Sequence, residues 1–139
     1  MKRYFLFSIV LISIILTQNI FIDDVDVNGL SRLKKEDIYR ISKLYPGREI
    51  SKGDEINKGI KRLWKIGRFS NVQIFVVDEK EESLSISIVL EELPIVNSIK
   101  FIGNSKFSEE KLRELINISN GQIISENMIF NARNSIVDK

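Results

Sequence analysis

The residues of this chain that could do chemistry are mainly carboxylates, since the sequence has no cysteine and no histidine. The common zinc sites, a Ser-His-Asp triad and a Cys-His pair are therefore excluded. Asp23, Asp24 and Asp26 could suggest a metal site, but they lie within one predicted strand, two of them on the same face, without another ligand nearby. We interpret them as charges on a solvated edge strand, which discourage aggregation.

The other candidates also have structural explanations. The acidic run over residues 78–82 could supply an acid and a base, but a charged turn is the favoured interpretation. Trp64 could stack on a ligand, but it continues the apolar stripe of a helix, so we predict core packing. The glycines lie where predicted helices and strands end, and they do not form a phosphate-binding loop. The sequence thus predicts a protein that is not an enzyme, with no catalytic residue, metal site or cofactor.

The amino terminus predicts export. Met1, Lys2 and Arg3 precede the uncharged run Tyr4–Leu16, which is too short for a hydrocarbon core of about 30 Å and is typical of a signal peptide. We predict a signal peptide over residues 1–19, and the alternative is an uncleaved anchor that continues through residue 22. Without Lys2 and Arg3 the acidic and basic residues balance at 19 each, so we predict no nucleic-acid partner.

The stretch from Ser51 to Val77 is the most informative part of the chain. Ser51 is predicted to cap a helix, and Gly67 to end it in a left-handed conformation. The helix has one apolar stripe, and a strand with a period of two follows it. The stripe consists of Ile56, Ile60, Leu63 and Trp64, and the strand alternates Val72, Ile74 and Val76.

Together with the surrounding residues, this stretch predicts the element order strand, helix, helix, strand, strand. The first strand covers 20–28, with Phe21, Val25 and Val27 on one face. A short helix covers 34–44 and ends before Pro46, and the last strand covers 84–90. This order predicts an α+β fold.

A second copy of the pattern lies 74 positions further on, without a gap. Pro94 marks the joint, so we predict one repeat over 20–92 and a partial repeat over 93–139, whose last two strands would fall near 146–164. We expect residues 95–139 to be marginally stable or disordered in the isolated chain, with faster hydrogen exchange than the first repeat. The paired positions include Gly29 with Gly103, Ser31 with Ser105, Gly47 with Gly121 and Ile38 with Leu112.

Three segments resemble the polypeptide-transport-associated (POTRA) repeats of the BamA/Omp85 outer-membrane assembly factors. Leu63–Val72 is similar to the family's helix end and G-x-F-x-x-V turn, with Gly67 and Phe69. Residues 91–94, ending in Pro94, are similar to its E-x-P hinge. Residues 99–104, with Gly103 and Asn104, are similar to its I-x-F-x-G-N strand opening.

The resemblance implies a three-stranded sheet covered on one face by two helices. It also implies a periplasmic, outer-membrane-associated module that binds unfolded outer-membrane β-barrel proteins and accessory assembly subunits. Family members carry further repeats and a transmembrane barrel, which residues 1–139 do not contain. The outer membrane would therefore be reached through a missing or separate barrel.

In such a sheet the last strand is central, and the strand before it lies at an edge. A client strand could then add to that edge with little demand on its sequence. The alternatives are that the edge is only a surface, or that the chain is a membrane-anchored scaffold with one such repeat, as in division proteins. An exported hydrolase lacks a nucleophile with a base. The predicted client edge consists of Asn71, Val72, Gln73, Ile74, Phe75, Val76 and Val77.

Overall fold

The computed structural model describes residues 19–51 and 54–139, which form a mixed α+β fold with four strands and four helices. The predicted α+β class is confirmed. The elements in chain order are β1 (Asn19–Asn28), α1 (Lys35–Ser42), β2 (Glu49–Ser51), α2 (Asp54–Lys65), β3 (Phe69–Glu79), β4 (Ser83–Glu92), α3 (Glu109–Ile116) and α4 (Glu126–Val137).

The described sheet has four strands in the order β2-β1-β4-β3, so the predicted count of three is wrong. β1 is parallel to β4, and the outer strands β2 and β3 are antiparallel to their neighbours. β2 exists because Gly47, at φ +80°, turns the chain back onto β1. The Gly47 N–H donates to the Ile22 carbonyl at 2.7 Å, and the Ile22 N–H donates to the Arg48 carbonyl at 2.9 Å.

The buried face of β1 differs from the predicted alternation. Phe21 is 50% exposed, whereas Ile20 and Ile22 are buried. The pairing with β4 shifts between Ile22 and Asp24, which places a β-bulge at Asp23. Because a one-residue shift moves side chains to the opposite face, Val25 is buried on the same side as Ile22.

The core lies between one face of the sheet and the helices α1 and α2. β4 contributes every second residue from Leu84 to Leu90, each at most 3% exposed. Ile38 of α1 and Leu63 of α2 cover them and are fully buried. The opposite face of the sheet, here called the open face, carries partly exposed serines from β4.

Trp64 is not a core residue, so its predicted packing is wrong. Its side chain is 45% exposed, while Leu63 is fully buried and Gly59 lies against Leu44. Successive residues on a helix are rotated by about 100°. Because Gly59 and Leu63 mark the middle of the buried face, Trp64 falls at its border.

The 74-residue offset extends to individual hydrogen bonds. The Gly121 N–H donates to Val96 at 2.7 Å, and the Val96 N–H donates to Gln122 at 2.9 Å, which matches the Gly47–Ile22–Arg48 pattern. Helices α1 and α3 occupy equivalent positions, and each ends in a left-handed residue, Lys43 and Asn117. The two segments therefore share one local architecture.

The second half has no extended strand in the described chain, although the sequence predicts one near residues 99–103. An isolated bridge between Ile95 and Ile123 is its only described β-pairing. In the first half β1 pairs with β4 over residues 21–28. Within the described residues no strand pairs with residues 97–103 in this way, so they lack the hydrogen-bonded ladder that orders β1.

We expect this difference to appear in hydrogen exchange. Leu63 is fully buried, but its counterpart Val137 is 70% exposed, so α4 loses contacts that stabilise α2. Amides of α3 and α4 should exchange faster than those of β4 and α1 in the full chain. Equal protection of the two halves would contradict this expectation.

Two predictions fall partly or wholly outside the described residues. Of the predicted signal peptide only Asn19 is described, and it opens β1. Ser51 ends β2, and residues 52 and 53 between it and α2 are not described, so its capping role is untested. In the described ranges no helix has the length and apolar character needed to span a membrane.

Candidate functional site: the free edge of the sheet

The predicted client edge lies in β3, an outer strand of the sheet. Within residues 19–51 and 54–139, β3 pairs only with β4. Alternate backbone N–H and C=O groups of such a strand point away from its neighbour. β2 forms the other edge but is three residues long, against eleven for β3. β3 is therefore the longer template for an added strand.

β3 contains one regular segment between two irregularities. The register with β4 shifts between Phe69 and Asn71 and again between Val76 and Asp78. The segment 71–76 therefore has an unbroken ladder and could pair with a guest strand of about six residues. Bulges twist an edge strand locally, so these two limit pairing at either end.

The far end of this segment is apolar and exposed. Phe75, Val76 and Val77 are 50%, 48% and 62% exposed. Phe75 lies opposite Ser87 on the open face, and Val76 lies opposite Ile86 on the helix-covered face. A guest strand would therefore meet apolar side chains on both faces, which native edge strands usually avoid.

The acidic groups near the β3–β4 turn are paired with a lysine. Lys80 Nζ lies 3.0 Å from an Asp23 carboxylate oxygen and 3.7 Å from one of Asp78. The hydrogen bond to Asp23 is the main cause that raises the pKa of Lys80. In the described part of the chain no group of three or more histidine, cysteine or acidic residues is placed to hold a metal ion.

A buried carboxylate anchors the opposite end of the β3–β4 hairpin. Glu92 accepts hydrogen bonds from the backbone N–H groups of Ser31, Arg32 and Leu33 at 2.8, 3.0 and 3.1 Å. The Arg32 Nε atom lies 3.1 Å from its other oxygen, and the Glu92 side chain is 3% exposed. Burial alone would raise the Glu92 pKa, but these donors outweigh it and lower the pKa to about 2. Glu92 thus fixes the end of β4 to the loop before α1.

Gly29 opens that loop at a point where no side chain fits. Its φ is +85°, and a Cβ there would lie 1.8 Å from the Leu90 carbonyl oxygen. The close approach lets the loop pass beside β4 and reach Glu92. Gly29 and Glu92 together fix the position of β4 relative to the loop. β4 is the described strand that pairs with β3.

The predicted motif residues fall into separate places. Trp64, Phe69 and Pro94 line one cavity of about 490 Å³ beside the start of α4. Gly103 and Asn104 line another of about 390 Å³ in the second half. Gly67 ends α2 at φ +65° and lines neither of these.

Sequence reasoning missed the partners of Glu92. The sequence pattern marked residue 92 only as part of a hinge motif, because Arg32 lies 60 residues earlier in the chain. An acidic residue before the hinge proline was the available signal. Which loop it binds depends on the parallel pairing of β1 with β4.

Two of three comparisons with known proteins give a match. The family model described as POTRA, surface antigen variable number repeat, matches residues 20–92 and again 94–139. A comparison with curated protein sequences finds no match.

Three solved structures are similar to this chain. The amino-terminal domain of Omp85 from Thermosynechococcus elongatus aligns with a TM-score of 0.55 and 17% identity over 85% of this chain and 49% of that one. POTRA1-2 of the periplasmic domain of Omp85 from Anabaena aligns at 0.53 and 18%, over 86% and 77%. POTRA1-3 from Anabaena aligns at 0.53 and 17%, over 86% and 50%. The chain thus spans about half the length of two of these structures, and at such identities the likeness shows the fold alone.

Proposed function

The chain belongs to the POTRA (surface antigen variable number repeat) family, and from this premise we propose that it is an exported, periplasmic module of an outer-membrane β-barrel assembly factor. Its clients would be unfolded outer-membrane β-barrel proteins, which it binds by adding their strands to β3. Accessory assembly subunits are further partners, and a separate barrel would connect it to the outer membrane. The POTRA modules of the family are non-catalytic scaffolds, and the proposed role involves no covalent chemistry.

The free edge of β3 is the observation that carries the proposal. It combines an unbroken ladder over 71–76 with half-exposed Phe75 and Val76, and the described part of the chain leaves it without a second neighbour. A barrel strand alternates apolar and polar residues and must stay unpaired until insertion, so it suits such an edge. Backbone hydrogen bonds supply affinity without a strict requirement on client sequence.

The two family matches favour tandem repeats over a scaffold with a single repeat. The scaffold alternative also needs an intact membrane anchor at the amino terminus. Detection of uncleaved residues 1–19 in membranes would support that alternative.

We expect Val76→Pro to weaken client binding about tenfold or more. Hydrogen-bonded pairs alternate along β3 and β4, so the Val76 N–H points away from β4, and proline removes this donor while its ring blocks close approach of a guest strand. Val72 is a poorer test position, since it is 7% exposed and its replacement would disturb the core. Binding is measured by titrating a fluorescent barrel-strand peptide into the full chain. The far-UV helix signal should stay unchanged.

Two matched variants serve as controls. One distinguishes the backbone contribution to client affinity from the side-chain contribution, and the other distinguishes the β3 edge from the β2 edge. Val76→Ala keeps the N–H and should lose only part of the affinity. Glu49→Pro places the same ring at the opposite edge, in β2, and should leave binding unchanged. Equal affinities of the Val76→Pro and parent chains would contradict strand addition at β3.

A further inference from the structure

The cavity of about 490 Å³ at the joint between the two repeats, here called the joint cleft, has an aromatic wall and an apolar lining. Trp64 and Phe69 line it from the first repeat, and Ile124 and Ile129 line it from the second. Trp64 is 45% exposed, whereas Phe69 is 3% exposed. The cleft therefore presents a half-exposed indole beside apolar side chains.

Both walls of the joint cleft are hydrogen-bonded to the joint itself. The Leu93 N–H donates to the Arg68 carbonyl, beside Phe69, at 2.8 Å. The Ile124 N–H donates to the Pro94 carbonyl at 2.9 Å. The cleft is therefore formed before a partner binds, which reduces the entropy that binding must cost.

The joint cleft lies on the side of the second half that corresponds to β2. The bonded residues Ile124 and Pro94 are the counterparts of Ile50 and Ile20, which pair where β2 meets β1. In the sheet, β2 and β4 lie on opposite sides of β1. The cleft is therefore separate from the places that correspond to β3 and β4.

Ile129 adds apolar surface at a position that is charged in the first half. Its counterpart is Glu55, which lies outside the core and whose carboxylate is 3.1 Å from the Arg48 guanidinium. The counterpart of Arg48 is Gln122, so this ion pair has no equivalent in the second half. Ile129 is 54% exposed at what is a surface position, as is typical of a contact site.

Two exposed carboxylates at the joint cleft lack a cationic partner. Glu91 and Glu126 line the cleft, and neither forms an ion pair within residues 19–51 and 54–139. No lysine or arginine is among the described residues that line it. Glu126 also lies in the first turn of α4, where its charge offsets the positive end of the helix dipole. The cleft is therefore complementary to a cation.

We propose that the joint cleft binds an arginine side chain of a partner polypeptide, with an apolar residue on each side of that arginine. The guanidinium stacks on the Trp64 indole and donates hydrogen bonds to the carboxylates of Glu91 and Glu126. The apolar neighbours pack on Pro94 and Ile129. The site is distinct from the client edge, and it does not depend on the proposed client binding.

The combination of an indole and two carboxylates favours arginine over lysine. A guanidinium is planar and has five N–H donors, so its face can stack on a ring while its edge bonds to carboxylates. An ammonium group is a point charge without this geometry. The hydrogen bonds are charge-assisted, and the partly buried ring excludes water from one side of the cation.

Trp64 is the only tryptophan in the sequence, so its indole N–H gives one signal that reports on the joint cleft. The test titrates the full ¹⁵N-labelled chain with the blocked pentapeptide Gly-Leu-Arg-Leu-Gly. We expect the indole signal to shift until it saturates. A matched pentapeptide with citrulline, a neutral isostere of arginine, should bind about tenfold more weakly.

Substitutions in the protein test the two carboxylates. Glu91→Gln and Glu126→Gln should each weaken binding of the arginine peptide several-fold and change binding of the citrulline peptide much less. Glu110→Gln is the matched control, because Glu110 is an exposed glutamate in the first turn of another helix, α3. This control should leave the affinity unchanged.

The outcomes separate this site from β3. An indole shift that persists in Val76→Pro would establish the joint cleft whether or not clients bind at β3. An indole shift that disappears in Val76→Pro would assign the peptide to β3 and overturn the proposal. Equal affinities of the arginine and citrulline peptides, tighter binding of a peptide with glutamate in place of arginine, or no indole shift would also overturn it.

Discussion

Replacing Gly29 by alanine is expected to destabilise the first repeat by more than about 4 kcal/mol, a large fraction of the stability of a small domain. Two costs combine at this residue. The left-handed conformation at φ +85° costs an L-residue about 1–2 kcal/mol. The new methyl group would also lie 1.8 Å from the Leu90 carbonyl oxygen, so β4 or the loop must move. Urea denaturation followed by the fluorescence of Trp64 measures the loss.

Gly47→Ala is the matched control. Gly47 has a similar φ of +80°, but a Cβ there meets nothing within 4 Å. The Gly47→Ala variant should therefore lose only about 1–2 kcal/mol of unfolding free energy, the conformational cost alone. Similar losses for the two variants would mean that the close approach of the loop to β4 does not matter for stability.

Replacing Glu92 by glutamine is expected to give the second largest effect, with a defined pH dependence. The pKa of about 2 lies below the ordinary value of 4.5, so the ionised carboxylate is favoured in the folded state. Its contribution is fully present above pH 4.5 and is lost as the pH falls toward 2. The difference between the two values corresponds to about 3 kcal/mol of unfolding free energy.

Glu92→Gln should therefore lose about 3 kcal/mol at pH 7, and it should lack the part of the acid sensitivity that the parent shows between pH 4.5 and 2. The measurement is urea denaturation at a series of pH values. Glu91→Gln, at the exposed neighbouring position, should keep the parent's pH profile. A parallel pH dependence of the Glu92→Gln and parent chains would show that Glu92 is not the titrating group.

The parts of the fold that could be predicted are those in which a periodic pattern extends over many residues. The twelve residues of α2, the alternation of β4 and the repeat of glycines at a constant offset all have clear patterns. β2 has only three residues, too few for a period, and forms because Gly47 directs it onto β1. The bulge at Asp23 breaks an alternation that the residue types alone suggest is continuous.

The candidate site was predictable only in part. The resemblance to the POTRA repeats implied that β3 lies at an edge, but the exposure of Trp64 depends on where the helix axis lies over the sheet. The Glu92 site combines groups about 60 residues apart and needs the parallel pairing of β1 and β4. Client binding at the edge remains our proposal.

Cysteine cross-linking tests the central claim, strand addition at β3, most directly. The chain has no cysteine, so single cysteines can be introduced by Gln73→Cys, Phe75→Cys and, as a control, Ser87→Cys. Ser87 lies opposite Phe75 on the same open face but in the central strand β4. Disulfides need Cβ atoms about 3.5–4.5 Å apart, so they report the register of a bound strand.

We predict that Gln73→Cys and Phe75→Cys form disulfides with cysteines at alternate positions of an unfolded barrel strand, in a register that moves by two residues between them. Ser87→Cys should form few. Cross-linking from Ser87→Cys as efficient as from Phe75→Cys, or without alternation along the client, would contradict strand addition at β3.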